Sequence, residues 1–295
     1  MSLWTLIRIV AGLVVVAVII FTALMVRHVR EEPLGGWFSQ VIPVDFEAQP
    51  MLALPAAEGD LPEIDPGAKV FEKGRELVAV GDLVGARDRF RTVVSIYPRS
   101  KAAPEARRIV GEMNLDDLLS TRRMENKVVH EVVRGDSYLG IAGKHDTSLD
   151  LIMHFNGLMD LKSLQPGDEL IVMPLNFRIL VEPKKELLSL WDGGRFIKAY
   201  PLLAVVGAPG GDQKTKINGK SAVRDGRRYP PASEGYRGAS KVLTVERMPL
   251  LIAALPEETA VDELARGFYL APEDMEELAL LTRTGNEVEI RSSAR

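Results

Sequence analysis

The sequence predicts an α+β chain of several domains, and three patterns support that prediction. An uncharged apolar run near the amino terminus has the length of a membrane-spanning helix. Apolar residues further along recur at helical spacing, which indicates a helical hairpin. Beyond residue 176, apolar and polar residues alternate between turn signals, which is typical of a mostly-β domain. At 295 residues, the chain is long enough for two or three compact domains.

Composition and charge narrow the partners and the chemistry that we expect. A net charge of -4 disfavours the broad basic surface that nucleic-acid binding requires, so we expect no nucleic-acid partner. The chain has no cysteine, which excludes disulfides and thiolate metal sites. The sequence has no spacing typical of a metal-ligand cluster or a phosphate-binding loop, so we expect neither a metal nor a cofactor.

The amino-terminal segment, residues 3–27, is predicted to be a transmembrane anchor. The run from Ile9 to Val26 carries no charge, and as a helix it would span roughly 27 Å, close to the ~30 Å hydrocarbon core. A cleaved signal peptide is the alternative, but its apolar region is shorter and ends in small residues. Leu24, Met25 and Arg27 make a poor cleavage site, which favours an uncleaved anchor.

Residues 28–67 and 68–122 are predicted to be a proline-rich linker and a helical segment. Repeated prolines between Pro33 and Pro66 oppose long helices in the linker. The helical segment, with Gly81-Asp82 at its first turn and Tyr97-Pro98 at its second, resembles about one and a half tetratricopeptide repeats. Arrays usually need at least three repeats. Two interpretations therefore stay open, a hairpin that packs on its neighbours and a groove that binds a partner protein.

Residues 128–174 contain a dense series of turn and cap signals. The turn Gly135-Asp136 follows an alternating strand, and Ser137 can cap the next helix. The apolar residues within 149–155 have helical spacing, and Pro166-Gly167-Asp168 is a turn before a closing strand. This segment resembles a LysM module. The resemblance implies a βααβ fold that binds glycans containing N-acetylglucosamine.

The LysM resemblance places the glycan in a shallow groove between two loops. One loop follows the first strand, and the other precedes the second strand. Backbone amides and carbonyls would bind the acetamido group, so few side chains are diagnostic. The glycan-binding residues that the resemblance implies are Gly135, Asp136, Ser137, Tyr138, Leu139, Leu158, Gln165, Pro166 and Gly167. Glycan strands of peptidoglycan are the implied partner.

This implied ligand bears on the orientation of the predicted anchor. Two arginines, Arg27 and Arg30, follow the apolar run, whereas one, Arg8, precedes it. Because the more positive flank of a membrane helix usually lies in the cytoplasm, this count slightly favours a cytoplasmic carboxyl side. The ligand lies outside the cell and argues for the opposite orientation. We therefore expect a single-pass protein of the bacterial cytoplasmic membrane, with its folded domains on the periplasmic or wall side.

Residues 176–291 begin and end with the patterns of a mostly-β domain. Alternating strands flank the hairpin turn Asp192-Gly193-Gly194. Near the end, Pro272–Leu278 has the pattern of a helix and Gly285–Ile290 that of a last strand. These features resemble the YkuD-type L,D-transpeptidase domain, a cell-wall enzyme family with a cysteine nucleophile and a histidine base.

The expected catalytic residues are missing from this domain. The register of the resemblance places Phe268 where the cysteine is expected and Ala253 where the histidine is expected. The chain contains no cysteine, and none of its 4 histidines lies after His154. Because the chemistry needs an activated nucleophile and a base, we expect no catalytic residues in this chain.

The sequence therefore predicts a membrane-anchored, peptidoglycan-binding protein with an inactive transpeptidase-like domain. Such a pseudoenzyme would serve as a cell-wall scaffold or regulator, with other cell-wall proteins as candidate partners. One alternative is a peptidoglycan enzyme of the same family that uses a mechanism without cysteine. Another is an assembly protein that works mainly through residues 69–120.

Overall fold

The computed structural model describes Trp4, residues 12–24 and residues 64–292, apart from 258 and 259. The chain divides into two compact units, Met1–Glu63 and Ile64–Arg295. Within the first unit, residues 12–24 are helical. The predicted linker over 28–67 lies outside the described residues except for its last four positions.

The structure contradicts the predicted membrane anchor. Across the described residues, no helix has both the length and the apolar character needed to cross a membrane. The transmembrane helix in the predicted fold class, and the single-pass membrane localisation that depended on it, are therefore wrong.

Three helices open the second unit: α1 (Pro66–Ala79), α2 (Leu83–Ile96) and α3 (Ala103–Leu119). The carboxylates of Asp65 and Asp82 cap α1 and α2 by accepting backbone N–H bonds. The rings of Phe71 and Phe90 pack between these helices with centroids 5.2 Å apart. Gly74 permits that approach, because a Cβ there would lie 2.5 Å from the Phe90 ring.

A small βααβ module follows, built from two short strands and two short helices. Its elements are β1 (Val128–Glu131), α4 (Tyr138–Lys144), α5 (Leu149–Phe155) and β2 (Glu169–Val172). The strands β1 and β2 pair antiparallel, and Ser137 and Ser148 cap the two helices. Its own core is a cluster of buried apolar side chains, Val132, Ile141, Ala142, Ile152, Leu170 and Val172.

The remaining strands of the described chain form one ten-stranded sheet. They are β3 (Arg178–Glu182), β4 (Leu187–Asp192), β5 (Arg195–Pro201), β6 (Ala204–Val206), β7 (Gln213–Arg224), β8 (Arg227–Tyr229), β9 (Ser240–Val245), β10 (Leu251–Ala254), β11 (Gly267–Leu270) and β12 (Glu287–Ile290). Their order is β5-β4-β3-β12-β7-β9-β10-β11-β6, with β8 on β7. The pairs β3–β12 and β10–β11 are parallel.

A helix, α6 (Pro272–Leu280), covers the core of this sheet. Its Met275 and Leu278 pack in the same buried cluster as Phe268 from β11. Leu151 and Phe155 of the βααβ module also belong to that cluster. The module and the sheet therefore share one apolar core, so deleting the module would open the core of the sheet.

The three-helix segment also packs on the sheet. The Asn114 side chain donates hydrogen bonds to the backbone oxygens of Phe196 (3.1 Å) and Ile197 (2.9 Å) on β5. Lys198 of β5 donates to Glu112 of α3 at 3.0 Å. These contacts favour the interpretation of the segment as helices that pack on their neighbours.

Candidate functional site

The predicted glycan-binding residues of the first loop lie around a tight turn after β1. Gly135 has a φ of 97°, a backbone conformation that favours glycine. The Asp136 carboxylate accepts from the Val133 amide at 3.0 Å, and Ser137 Oγ accepts from the Gly140 amide at 3.1 Å. The turn is therefore held by its own side chains, and it leads into Tyr138 and Leu139 at the start of α4.

The second predicted loop is joined to the first by backbone hydrogen bonds. The Gly167 amide donates to the Val132 carbonyl, and the Val132 amide donates to the Asp168 carbonyl, each at 2.8 Å. Leu158 packs against the small core of the module, while the three residues Gln165, Pro166 and Gly167 are exposed. The structure thus brings the two loops together.

Exposed apolar side chains lie on or beside these loops. Met159 is 80% exposed, Val133 and Leu139 are each 56% exposed, and Leu161 is 40% exposed. Exposed apolar surface of this kind is typical of a binding groove. Met159 and Leu161 lie within the second loop, from Leu158 to Gly167, and Val133 lies directly before the first turn.

A chain of hydrogen bonds ties the first loop to the module interior. His130 is buried, and its Nε2 lies 2.9 Å from Asp136 Oδ2, while its Nδ1 lies 3.0 Å from His145 Nε2. The Val133 amide, followed by His130, lowers the pKa of Asp136. Burial, followed by the charge of His130, lowers the pKa of His145. His130 therefore joins the Asp136 side chain of the first loop to His145 in the module.

The two expected catalytic positions of the C-terminal domain lie on opposite faces of the sheet. Across β10 and β11, Ile252 faces Phe268, and Ala253 faces Tyr269. Phe268 is fully buried in the core beneath α6. Ala253 belongs to a second cluster, with Tyr269 and Val242, on the other face. The residue that the structure brings beside Ala253 is therefore Tyr269.

The face that carries Ala253 is apolar and closed by a loop. Its surroundings are the side chains of Ala204, Val206, Val223, Leu251, Leu255 and Leu264. Tyr269 donates its hydroxyl to the Ala265 carbonyl at 2.7 Å, and burial raises the pKa of that hydroxyl. Arg266 pins the loop by donating to the Gly207 carbonyl at 2.8 Å. A buried phenol of raised pKa is a weak nucleophile.

Ser240 and Lys241 do not form a serine–lysine pair either. The Lys241 ammonium is buried and donates to the carbonyls of Tyr236 (3.1 Å) and Ala239 (2.9 Å) and to Glu276 (3.2 Å). Ser240 is exposed and precedes it on the same strand. Neighbouring strand residues point to opposite faces, so the ammonium stabilises a turn.

Comparison with known proteins identifies one domain by sequence. Residues 130–172 match the family model of the LysM domain, which confirms the LysM prediction. This domain marks the chain as a cell-wall-related protein. A search of curated proteins found no significant match.

Comparison with solved structures returns L,D-transpeptidases at low similarity. A mutant of the Enterococcus faecium L,D-transpeptidase is 12% identical, with a TM-score of 0.28, over 39% of this chain and 49% of that protein. Mycobacterium tuberculosis L,D-transpeptidase 1 is 12% identical, with a TM-score of 0.29, over 39% and 60%. The Stackebrandtia nassauensis L,D-transpeptidase is 12% identical, with a TM-score of 0.29, over 50% and 66%. The chain thus spans half to two thirds of these proteins, and TM-scores below 0.5 do not identify an activity.

Proposed function

We propose that this chain binds the glycan strands of peptidoglycan through its LysM domain. Its C-terminal domain is then an L,D-transpeptidase-like domain without transpeptidase activity, which serves as a scaffold or regulator in the cell wall. The observation that carries the second part is the lack of any cysteine in the chain and of any histidine after His154.

The LysM part of the proposal rests on the paired loops. The glycan would lie against the turn at Gly135 to Leu139 and the segment from Leu158 to Gly167. The backbone of the turn is fixed by the Asp136 and Ser137 hydrogen bonds, so little order has to be created on binding. Exposed Leu139 and Met159 offer apolar surface for the less polar faces of a sugar.

Inactivity of the C-terminal domain is supported by the composition of the closed face. A row across the strands there holds Ser221, Val242, Ala253, Tyr269 and Ala204. Its hydroxyls come from a serine and a tyrosine, and none of its members is a base. Activation of a hydroxyl needs an adjacent base, so the row does not support acyl transfer.

Co-sedimentation of the full chain with purified peptidoglycan sacculi tests the binding. Leu139→Ser is expected to reduce the bound fraction several-fold, because it removes exposed apolar surface beside the turn. Val84→Ser is the matched control, since Val84 is an equally apolar, exposed residue on α2. Failure of the wild-type chain to sediment with sacculi contradicts the proposal.

Incubation of the same protein with sacculi, followed by muropeptide analysis, tests the inactivity. We expect an unchanged profile of cross-links. New cross-links made by the pure protein would instead support the alternative, an enzyme that works without cysteine.

A further inference from the structure

A cavity of about 430 Å³ lies between the LysM domain and the sheet domain. The LysM side contributes residues of α4, of the turn after it and of the start of α5. The other side contributes residues of β7 and residues that follow β8 and α6. Its walls include Leu139, Ala142, Gly143, Thr147, Lys220 and Arg283. The volume is in the range typical of small-ligand sites, roughly 300–1,000 Å³.

A buried polar cluster beside this cavity joins the LysM domain to the sheet domain. Lys220 of β7 forms an ion pair with Asp150 of α5, and the Tyr236 hydroxyl donates to the same carboxylate at 3.0 Å. Burial is the main cause that lowers the pKa of Lys220 and raises that of Tyr236. Separating its members would leave a buried charge without its partner, so the cluster opposes movement of one cavity wall away from the other.

The charges in the cavity wall are balanced. Arg283 pairs with Asp146 at 3.0 Å, and Lys220 pairs with Asp150. The rest of the wall includes apolar carbons of Leu139, Ala142, Leu149 and Pro231. A ligand with net charge gains little here, because each wall charge already has its partner. A neutral ligand with both apolar and hydrogen-bonding groups fits this wall better.

Two polar atoms of the wall residues favour a ligand that can form hydrogen bonds. Among the described residues, buried Thr147 Oγ1 and Arg283 Nε find no hydrogen-bond partner. A buried donor or acceptor without a partner costs about 1–3 kcal/mol. A small side-chain adjustment toward a ligand oxygen would satisfy either atom.

Leu139 connects this cavity to the proposed glycan groove. It belongs to the turn that the LysM resemblance implicates, and it also lines the cavity. A ligand that follows the LysM surface past Leu139 would therefore enter the space between the two domains.

We propose that this cavity is a second subsite for the same glycan strand, and that it takes a neutral N-acetylated sugar unit. This inference rests on the proposed glycan binding. It gives the transpeptidase-like domain a role in binding, since one wall of the subsite belongs to that domain. Affinity is then expected to depend on the length of the glycan.

Binding of β-1,4-linked N-acetylglucosamine oligomers to the full chain, measured by calorimetry, tests the subsite. The hexamer is expected to bind about tenfold more tightly than the trimer. Gly143→Tyr is the blocking variant: Gly143 lines the cavity, and a Cβ there meets nothing within 4 Å. The side chain would occupy the cavity without a clash in α4.

In Gly143→Tyr, the trimer affinity is expected to stay within about twofold of wild type, while the hexamer loses its advantage. Gly210→Tyr is the matched control, because a Cβ at Gly210 also has open space and this residue lies outside the cavity. Thr147→Val, which removes the unpartnered hydroxyl, is expected to weaken the hexamer alone.

The outcomes separate the subsite from the LysM function. Trimer and hexamer of equal affinity in the wild-type chain would overturn the subsite and leave glycan binding by the LysM domain intact. A hexamer advantage that survives Gly143→Tyr would also overturn the subsite. No binding of either oligomer would overturn the proposed function as well.

Discussion

The LysM domain and the C-terminal sheet domain differ in how far their expected sites depend on side chains. The LysM loops are shaped by backbone conformation, with Gly135 and Gly167 at positive φ and short hydrogen bonds between the loops. A cysteine enzyme depends instead on two reactive side chains. A site of the first kind depends mainly on backbone conformation, whereas a site of the second kind is abolished by the loss of one reactive side chain. Substitutions in the C-terminal sheet domain can therefore remove reactive side chains without altering the backbone of the LysM loops.

The largest effect that we expect concerns Phe268, the residue that the resemblance places where a cysteine is expected. Phe268 is fully buried beneath α6, so Phe268→Ala should lower the free energy of unfolding by about 3–5 kcal/mol. Tyr269→Phe, one residue further on, removes the hydroxyl bond to Ala265 and should cost only about 0.5–1.5 kcal/mol. Urea unfolding of both variants measures the difference. Equal losses would contradict a purely structural role for Phe268.

The next effect concerns the link between the two domains. Asp150→Asn leaves buried Lys220 without its counter-charge and should lower the free energy of unfolding by about 3 kcal/mol. Asp88→Asn is the control, because Asp88 is exposed and 3.8 Å from Arg91. Both variants are compared by urea unfolding, followed at the LysM domain and at the sheet. Separate transitions in the wild-type chain would contradict a shared core.

The sequence predicts those parts of the structure that are determined by residues close together in the chain. The LysM turns are set by short motifs, Gly135-Asp136-Ser137 and Pro166-Gly167, and these turns lie where the motifs place them. The hairpin between β4 and β5 likewise lies at Asp192-Gly193-Gly194. In each case a few adjacent residues determine the conformation, so the sequence is sufficient.

Long-range register is what the sequence could not supply. The strands β10 and β11 are parallel and are connected by a loop, so no turn type fixes their pairing. A shift of one residue exchanges the two faces of a strand, so the sequence alone does not show that Phe268 and Ala253 lie on opposite faces. The ion pair of Asp150 with Lys220 was likewise not predictable from the sequence, because it joins residues of two different domains.

This register leads to a test in which a thiol and an imidazole are introduced. Ala253→His with Tyr269→Cys puts both groups on one face, and we expect the thiol pKa to lie about one unit below that of Tyr269→Cys alone, because the imidazole can pair with the thiolate. Ala253→His with Phe268→Cys puts them on opposite faces, and no such fall is expected. The pH dependence of alkylation measures both thiols. A lowered thiol pKa in the Phe268→Cys pair alone would mean that the register is shifted.

The smallest expected effect is the pH dependence of the LysM domain. Burial and His130 lower the pKa of His145, so between that lowered value and the unfolded value of about 6.5 the unfolded chain binds more protons. Stability should therefore fall as the pH drops through about 6.5 and level off below the folded pKa. His145→Gln should lack this fall, so the difference between the two proteins narrows at acid pH. The midpoint of urea unfolding, measured for the wild-type chain and for His145→Gln at several pH values around 6.5, tests this expectation. If the midpoints of the two proteins change equally with pH, His145 does not cause the pH dependence.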